Sequence, residues 1–377
     1  MNLAKQDGVG GEGCVGGGRA GAALSPPGPV AVGLSGGVDS SVAAAVLQEA
    51  GWEVWGVTAL LTREQSRCCS PEDVRLAQAV AARLGIPHQI IAVAEEFERG
   101  VIAPFAGEYL AGRTPSPCVV CNRDIKFGVL LERVLALGAA ALATGHYARL
   151  ERDAAGRPRL RRGADRAKDQ SYFLALLGRQ QLERVVLPLG TWTKGRVREL
   201  AQRLRLPSRD RGESQELCFV GDAGHGNWLD VRCLQTPGAG EVVDTSGRLL
   251  GRHAGIHHYT IGQRRGLKVA GGRRLYVVAL DAARNRVVVG ERAEAMSRGL
   301  RLEGVQWTGG SPPAQEFRAA CQIRYRHEAA PASIRLLGGG QAEVRFDEPQ
   351  FAATPGQLAA LYDGDEVLGG GWIAAGV

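Results

Sequence analysis

From Pro29 to about residue 225, apolar runs of two kinds alternate along the chain. Short continuous runs read as buried strands, and longer stretches with apolar positions at helical spacing read as helices. Val30-Ala31-Val32-Gly33-Leu34 predicts the first strand, and the Ala-rich run Ser41 to Leu47 the first helix. Trp52 to Thr58 predicts a second strand. Pro71 opens a helix whose Val74, Ala77, Val80, Ala81 and Leu84 share one face, and Gly85 stops it. His88 to Val93 predicts the next strand, Ile125 to Leu137 an amphipathic helix ended by Gly138, and Ala139 to Thr144 another short strand. Strands alternating with helices imply a parallel sheet covered on both faces. Such sheets bind ligands at the carboxyl ends of their strands.

Beyond about residue 226 the pattern changes to Gly, Pro and short alternating segments. Val242 to Asp244 and Arg248 to Leu250 predict a small hairpin, and Leu275 to Leu280 and Val287 to Val289 two more strands. Further strands are expected at 322–325, 342–346 and 358–362, separated by turn signals such as Asp363-Gly364. This pattern predicts a small β-barrel. The expected division is a Gly-rich disordered tail over 1–29, a parallel-sheet unit over 30–225, a central unit over 226–285 and a C-terminal barrel over 286–377.

Composition narrows the class. An apolar fraction of 45% is ample for packed cores. No run of apolar residues is long enough to span a membrane, and the Gly-rich start carries no apolar signal-peptide region, so a cytoplasmic location is expected. The formal charge is +7, and only five lysines (5, 126, 168, 194 and 268) stand among the 46 basic residues. Arginine suits phosphate recognition, and a basic surface suits a polyanion partner.

The stretch Ser35-Gly36-Gly37-Val38-Asp39-Ser40 lies between the first strand and the first helix. Two glycines let the backbone fold tightly, so several N–H groups can converge on one phosphate. The helix N-terminus adds partial positive charge, and the hydroxyls of Ser35, Ser40 and Ser41 add donors. Asp39 would repel phosphate unless a cation intervenes, which makes it a Mg²⁺ contact. The loop is not a Walker A, because G-x-x-x-x-G-K-[ST] is absent. It resembles the PP-loop of ATP pyrophosphatases, which implies transfer of AMP to a substrate oxygen.

Eight cysteines occur, at 14, 68, 69, 118, 121, 218, 233 and 321. Structural disulfides are not expected in a chain of this length without a secretion signal. Cys118 and Cys121 form a C-x-x-C in a Pro-rich loop just before a helix, where a thiolate is stabilised. Cys218 follows in ESQELCFVG. A zinc half-site, a redox pair and reactive sulfur or cluster chemistry all remain open. Cys68-Cys69 are adjacent, a poor chelate geometry. Cys14, Cys233 and Cys321 read as passive buried thiols.

At this point seven segments occur in one order: GLSGGVDSSVAA, AGRTPSPCVVCNRDIKF, ATGHYARL, KDQSYFL, ESQELCFVG, HHYTIGQRRGL and TPGQ. From about residue 30 to its end the chain resembles the tRNA-specific 2-thiouridylases, in their C-x-x-C variant. The resemblance implies an α/β architecture: a parallel-sheet PP-loop (adenine nucleotide alpha hydrolase-like) domain, a small central β-rich domain that contacts tRNA, and a C-terminal β-barrel. It implies that ATP, with Mg²⁺, is bound by Gly33, Leu34, Ser35, Gly36, Gly37, Val38, Asp39 and Ser40, with Ala59 and Gly145. It makes Cys121 the nucleophile and Cys218 the persulfide carrier. Ser116, Pro117 and Cys118 match the segment around the target base. Lys168, Asp169, Gln170, Arg324 and Tyr325 match tRNA-contacting segments, and His146 and Gln357 match single contact positions.

The implied reaction is adenylation of the C2 oxygen of the wobble uridine, then replacement by sulfur. The implied partners are tRNAs for Lys, Glu and Gln and a cysteine desulfurase or sulfur-relay protein as sulfur donor. Other members carry Asp where this chain has Cys118. Cys118, Cys121 and Cys218 could then ligate three irons of a [4Fe–4S] cluster. An amide-forming ligase of the same superfamily is the alternative, but it gives Cys121 and Cys218 no role. A non-catalytic RNA-binding protein is a third reading, opposed by the intact loop.

Overall fold

The computed structural model describes residues 28–62, 70–212, 217–221, 224–233, 236–267, 269 and 274–377. The expected tail up to residue 27, with Cys14, and the pair Cys68-Cys69 lie outside the described residues.

The first apolar runs build a five-stranded parallel sheet. Strands β1 (Val30–Gly33), β2 (Val54–Leu60), β3 (His88–Ala92) and β4 (Ala141–Ala143) pair in the order β3-β2-β1-β4, and Val185–Val186 adds the last edge. The order reverses direction between β1 and β4, so a crevice opens at their carboxyl ends. Helix α1 (Val38–Glu49) follows β1, and α2 (Pro71–Leu84) follows β2. Ser70 and Asp73 form a capping box at the start of α2, and Gly85 ends it in the left-handed conformation. Val30, Val32, Val42, Ala43, Leu47, Val80 and Val197 form the core on one face of this sheet.

One helix and one strand differ in their boundaries from expectation. The helix expected from Ile125 starts at Pro117 and runs to Ala136, with a wide-turn π segment over Cys121–Leu130. Pro117 sits in the first turn, where a missing N–H costs nothing. Cys118 and Cys121 are therefore in the opening turns of a helix, not in a loop. The strand expected at 322–325 is displaced to Glu316–Gln322. Its pairing with Leu358–Asp363 ends at Gln322, which releases Arg324 and Tyr325 from the sheet.

A four-stranded sheet follows, in the order Tyr276–Asp281, Arg286–Gly290, Gly240–Asp244, Leu249–His253. A division at residue 285 falls inside the hairpin formed by its first two strands. Asp230, on the helix Gly224–Arg232, rivets that helix to the turn Ile256–His258 that follows the sheet's edge strand. It faces Nε2 of His257 at 2.8 Å and Nε2 of His258 at 3.1 Å.

The last unit is a closed barrel. Met296–Trp307 pairs with both Gln341–Phe351 and Glu366–Gly376, which closes six strands around Leu300, Leu302, Ile334, Val344, Leu361 and Ile373. The hairpin Ala148–Arg152/Pro158–Arg162, from the first domain, joins the barrel edge. Its alternating pattern, Ala-Arg-Leu-Glu-Arg, is a strand signal that the sequence reading passed over. Asp365 takes ion pairs from Arg149 and Arg166, and Glu366 one from Arg159. The barrel is thus welded to the parallel-sheet domain. Among the described residues no helix is long and apolar enough to cross a membrane.

Candidate active site at the carboxyl edge of the parallel sheet

The loop after β1 turns through Gly36, at φ +72°, and Gly37 caps α1. A Cβ on Gly36 would lie 2.8 Å from the carbonyl oxygen of Asp73, so only glycine fits. Ser40 Oγ accepts from the Ser35 amide at 3.2 Å and donates to the Gly37 carbonyl at 3.0 Å. Ser35 is exposed and Ser40 buried. Ser41, expected among the phosphate donors, is instead fully buried. Its hydroxyl donates to Gly37 and accepts from Ser208, both at 2.8 Å, so it ties α1 to the residue 208 segment. Leu34 and Val38 are core residues that anchor the loop, and Gly33 closes β1.

Gly145 follows β4 and touches the same loop. A Cβ there would lie 2.7 Å from the Asp39 carbonyl carbon and 2.8 Å from the Ser40 amide nitrogen. The absent side chain lets the end of β4 close on the first turn of α1.

The Asp39 carboxylate is the most engaged group of the loop. Tyr147 Oη donates to its Oδ1 at 2.7 Å, and Lys194 Nζ reaches both oxygens, at 2.7 and 2.8 Å. Gln170 holds Tyr147 by two contacts: its Oε1 accepts from the Tyr147 amide, and its own amide donates to the Tyr147 carbonyl. Asp165 Oδ2 accepts from the Lys194 amide at 2.9 Å. Sequence reasoning missed Lys194 and Tyr147. The first is a lone lysine opening a helix, and its link to Asp39 spans 155 positions.

Asp169 and Gln170 face inward. The Asp169 carboxylate is 8% exposed and accepts from Gly163, Ser171 and Arg162. It organises the turn that presents Gln170. Lys168 is half-buried on the same turn.

Two of the thiols, Cys121 and Cys218, share an apolar cluster at the ends of β2 and β3. Cys121 is buried in an apolar cluster with Leu61, Val93, Phe97, Val101, Ile102 and Ile125. Cys218, half-buried, packs against the same cluster, as do Ala59 and Leu60 at the end of β2 and Ile91 at the end of β3. Cys118 is exposed, one turn before Cys121. Cys321 lies in the barrel core, where burial pushes its thiol pKa far up and leaves it protonated.

Ser116 is buried beside Tyr172, whose hydroxyl donates to the Leu358 carbonyl at 2.8 Å. Tyr325 packs against Phe173, with ring centroids 4.4 Å apart, and Arg324 lies near Tyr172. Gln357 Nε2 donates to the carbonyls of Thr114 and Pro115, both at 3.0 Å. Asn122 is buried with its Oδ1 unpartnered, and its Nδ2 donates to Phe173. His146 Nδ1 lies 2.8 Å from Thr144 Oγ1. Burial and the Lys126 cation hold its pKa well below the ordinary imidazole value, so the ring is neutral.

A phosphate-binding loop at a topological switch point, with thiols packed on the neighbouring strand ends, defines a nucleotide-using α/β enzyme with two appended β domains. Comparison with known proteins agrees domain by domain. Residues 28–222 match a family described as tRNA methyl transferase HUP domain, 231–291 its PRC-barrel domain and 297–373 the aminomethyltransferase beta-barrel domain. The chain is 47% identical over 356 residues to the tRNA-specific 2-thiouridylase MnmA of Geobacter metallireducens, covering 92% of this chain and 96% of that protein. It is 48% identical over 348 residues to that of Syntrophotalea carbinolica, and 47% over 352 residues to that of Chloroflexus aggregans; each covers 92% of this chain and 98% of the relative. The chain belongs to the tRNA-specific 2-thiouridylase family.

Proposed function

We propose that the protein is an ATP-dependent tRNA sulfurtransferase that converts the wobble uridine of tRNAs for Lys, Glu and Gln to 2-thiouridine, in the cytoplasm. One observation carries this reading. Cys121 and Cys218 pack on the carboxyl ends of β2 and β3, beside the strand that presents the phosphate loop. Adenylation and sulfur delivery then share one crevice. Methyl transfer, the activity named in two of the domain descriptions, would leave both thiols and the phosphate loop without a role.

A pyrimidine carbonyl oxygen is a poor leaving group. The uridine O2 attacks the α-phosphorus of ATP, pyrophosphate leaves, and the oxygen becomes part of AMP. The loop amides of residues 35–40 and the α1 dipole stabilise the developing phosphate charge. A persulfide on Cys218 then attacks C2 with its outer sulfur, and AMP departs with the oxygen. The Cys121 thiolate attacks the inner sulfur, breaks the S–S bond and leaves C2=S. A Cys121–Cys218 disulfide remains, which an external dithiol reduces. The persulfide is supplied by a cysteine desulfurase or a sulfur-relay protein.

Mg²⁺ suits the Asp39 carboxylate at this loop and would neutralise phosphate charge. Cys118, Cys121 and Cys218 also suit an iron–sulfur cluster: two thiols stand one helical turn apart and the third packs on the cluster around Cys121. Bound there, a cluster would carry the incoming sulfide.

The target base leaves the anticodon stack to reach this crevice. Ser116, Pro117 and Cys118 face it, Tyr325 stacks, and Lys168 and Arg324 take phosphates. The central unit adds tRNA surface. The test is AMP formation and thiolation, measured with and without tRNA. Asp39→Ala is expected to abolish AMP formation while tRNA still binds. Lost tRNA affinity with normal adenylation would overturn the assignment.

A further inference from the structure

His257 and His258 end the short turn Ile256–His258, just after the chain leaves the edge strand of the four-stranded sheet. On a 3₁₀ turn, neighbouring side chains leave the backbone about 120° apart, yet these two rings have centroids only 4.4 Å apart. Each presents Nε2 to a different oxygen of the Asp230 carboxylate, at 2.8 and 3.1 Å. The three groups offer ligand atoms that all lie within 4.8 Å of one another. A tetrahedral zinc ion with bonds of about 2.0–2.2 Å holds its ligands about 3.3–3.6 Å apart, so modest side-chain rotations admit one. Two glycines seat the rings. A Cβ on Gly226 would lie 2.0 Å from His258 Nδ1, and one on Gly255 would lie 2.4 Å from His257 Cε1.

We propose that Asp230, His257 and His258 bind a divalent ion of the zinc class, which fastens the helix Gly224–Arg232 to the central sheet. Two imidazoles and one carboxylate form a borderline donor set. It suits Zn²⁺, whereas Mg²⁺ and Ca²⁺ favour oxygen ligands throughout. Access to the site is one-sided. The His257 side chain is 1% exposed, that of His258 28% and that of Asp230 42%, so an ion enters past the carboxylate. A cavity of about 290 Å³, bordered by Arg252, His253, Tyr259 and Gln263, reaches His258. Three protein ligands leave a position for water, and the cavity has room for it. The ion would also steady a reacting segment. Phe219, next to Cys218, packs edge-on against Trp228 of the same helix, with ring centroids 5.4 Å apart. Fixing that helix fixes the surface on which the Cys218 segment leans.

The test uses the full chain, freed of any affinity tag, with Zn²⁺ as the probe. It reads metal binding and stability, neither of which needs the thiolation reaction. Thiols also bind zinc, so Cys118→Ser, Cys121→Ser and Cys218→Ser are combined as the background. After dialysis against EDTA, that chain is expected to take up a single Zn²⁺ in the presence of excess Mg²⁺, read by elemental mass spectrometry. His258→Ala in the same background should lower zinc affinity at least about tenfold. Co²⁺ bound in place of zinc should show no thiolate charge-transfer band in the near ultraviolet. Asp230→Asn keeps the side-chain shape and a hydrogen-bond acceptor, so the helix stays docked while the ligand charge is lost. Zinc should raise the melting temperature of the parent chain and leave that of Asp230→Asn unchanged. No zinc uptake, uptake untouched by His258→Ala, or a thiolate band from Co²⁺ would each overturn the proposal. Three side chains that only hydrogen-bond to one another give the first of these results.

Discussion

Gln357 and Thr114, 243 positions apart, are joined by a hydrogen bond from the Gln357 side-chain amide to the Thr114 carbonyl. The same amide reaches Pro115, and the Thr114 amide donates back to Pro355 at 2.9 Å. Gly356, at φ +89°, lies flush on Thr114, where a Cβ would come within 2.9 Å of its carbonyl oxygen. The barrel therefore clamps the segment that leads into the thiol helix. Gln357→Ala removes two hydrogen bonds, each worth about 0.5–1.5 kcal/mol. Thiolation is expected to fall at least about tenfold while ATP affinity, read by calorimetry, holds. Equal loss of both would place the effect on the phosphate loop instead.

Gly145→Ala drives a methyl group into the backbone of Asp39 and Ser40. The phosphate loop must shift, so ATP binding is expected to drop by an order of magnitude or more. Gly178→Ala is the control, since nothing lies within 4 Å of its Cβ position. Titration of both variants with ATP decides the matter.

Cys218→Ser and Cys121→Ser should each permit AMP formation and stop thiolation. Cys321→Ala should thiolate normally and lose about 1–2 kcal/mol of stability from a small cavity in the barrel core. Mass spectrometry of the tRNA product reads the first pair, and denaturant melts read the third.

Acid should destabilise the fold before any carboxylate is protonated. Burial depresses the pKa of His146 and His225, with Lys126 adding to the first and His258 and His257 to the second. His88, His253, His258 and His327 shift in the same direction. In the folded state these rings stay neutral, while the unfolded chain takes up protons below about 6.5. Stability is then full above that pH and declines as pH falls through it. The slope is at most about 1.4 kcal/mol per pH unit for each fully withheld proton. Melting temperatures at pH 7.5, 6.5 and 5.5 check the sign; a flat profile would refute it.

Binding of tRNA should weaken steeply with salt, because phosphate contacts release counterions. A filter-binding series between about 50 and 200 mM salt reads the slope, and a flat profile would argue against a phosphate-dominated interface.

Local pattern alone settled much of this protein. The buried run Val30 to Leu34, the glycine pair and the Ala-rich helix specify a strand, an anion-binding turn and a helix from neighbouring residues. The hydrophobic face of Pro71 to Leu84 and its Gly85 stop are equally local, as is the C-x-x-C spacing of Cys118 and Cys121. The tertiary structure alone decided which distant groups meet. No local signal sends Lys194 to Asp39, turns Asp169 inward or seats Gln357 on Thr114. The helix that begins at Pro117 needed Phe127, Leu130 and Val134 to find the core under the sheet. Strands such as Ala330–Gly338 and Glu366–Gly376 are held by pairing partners along the barrel rather than by their own composition. Secondary structure follows from the few residues around each peptide bond. An active site follows from which faces those elements bury against one another.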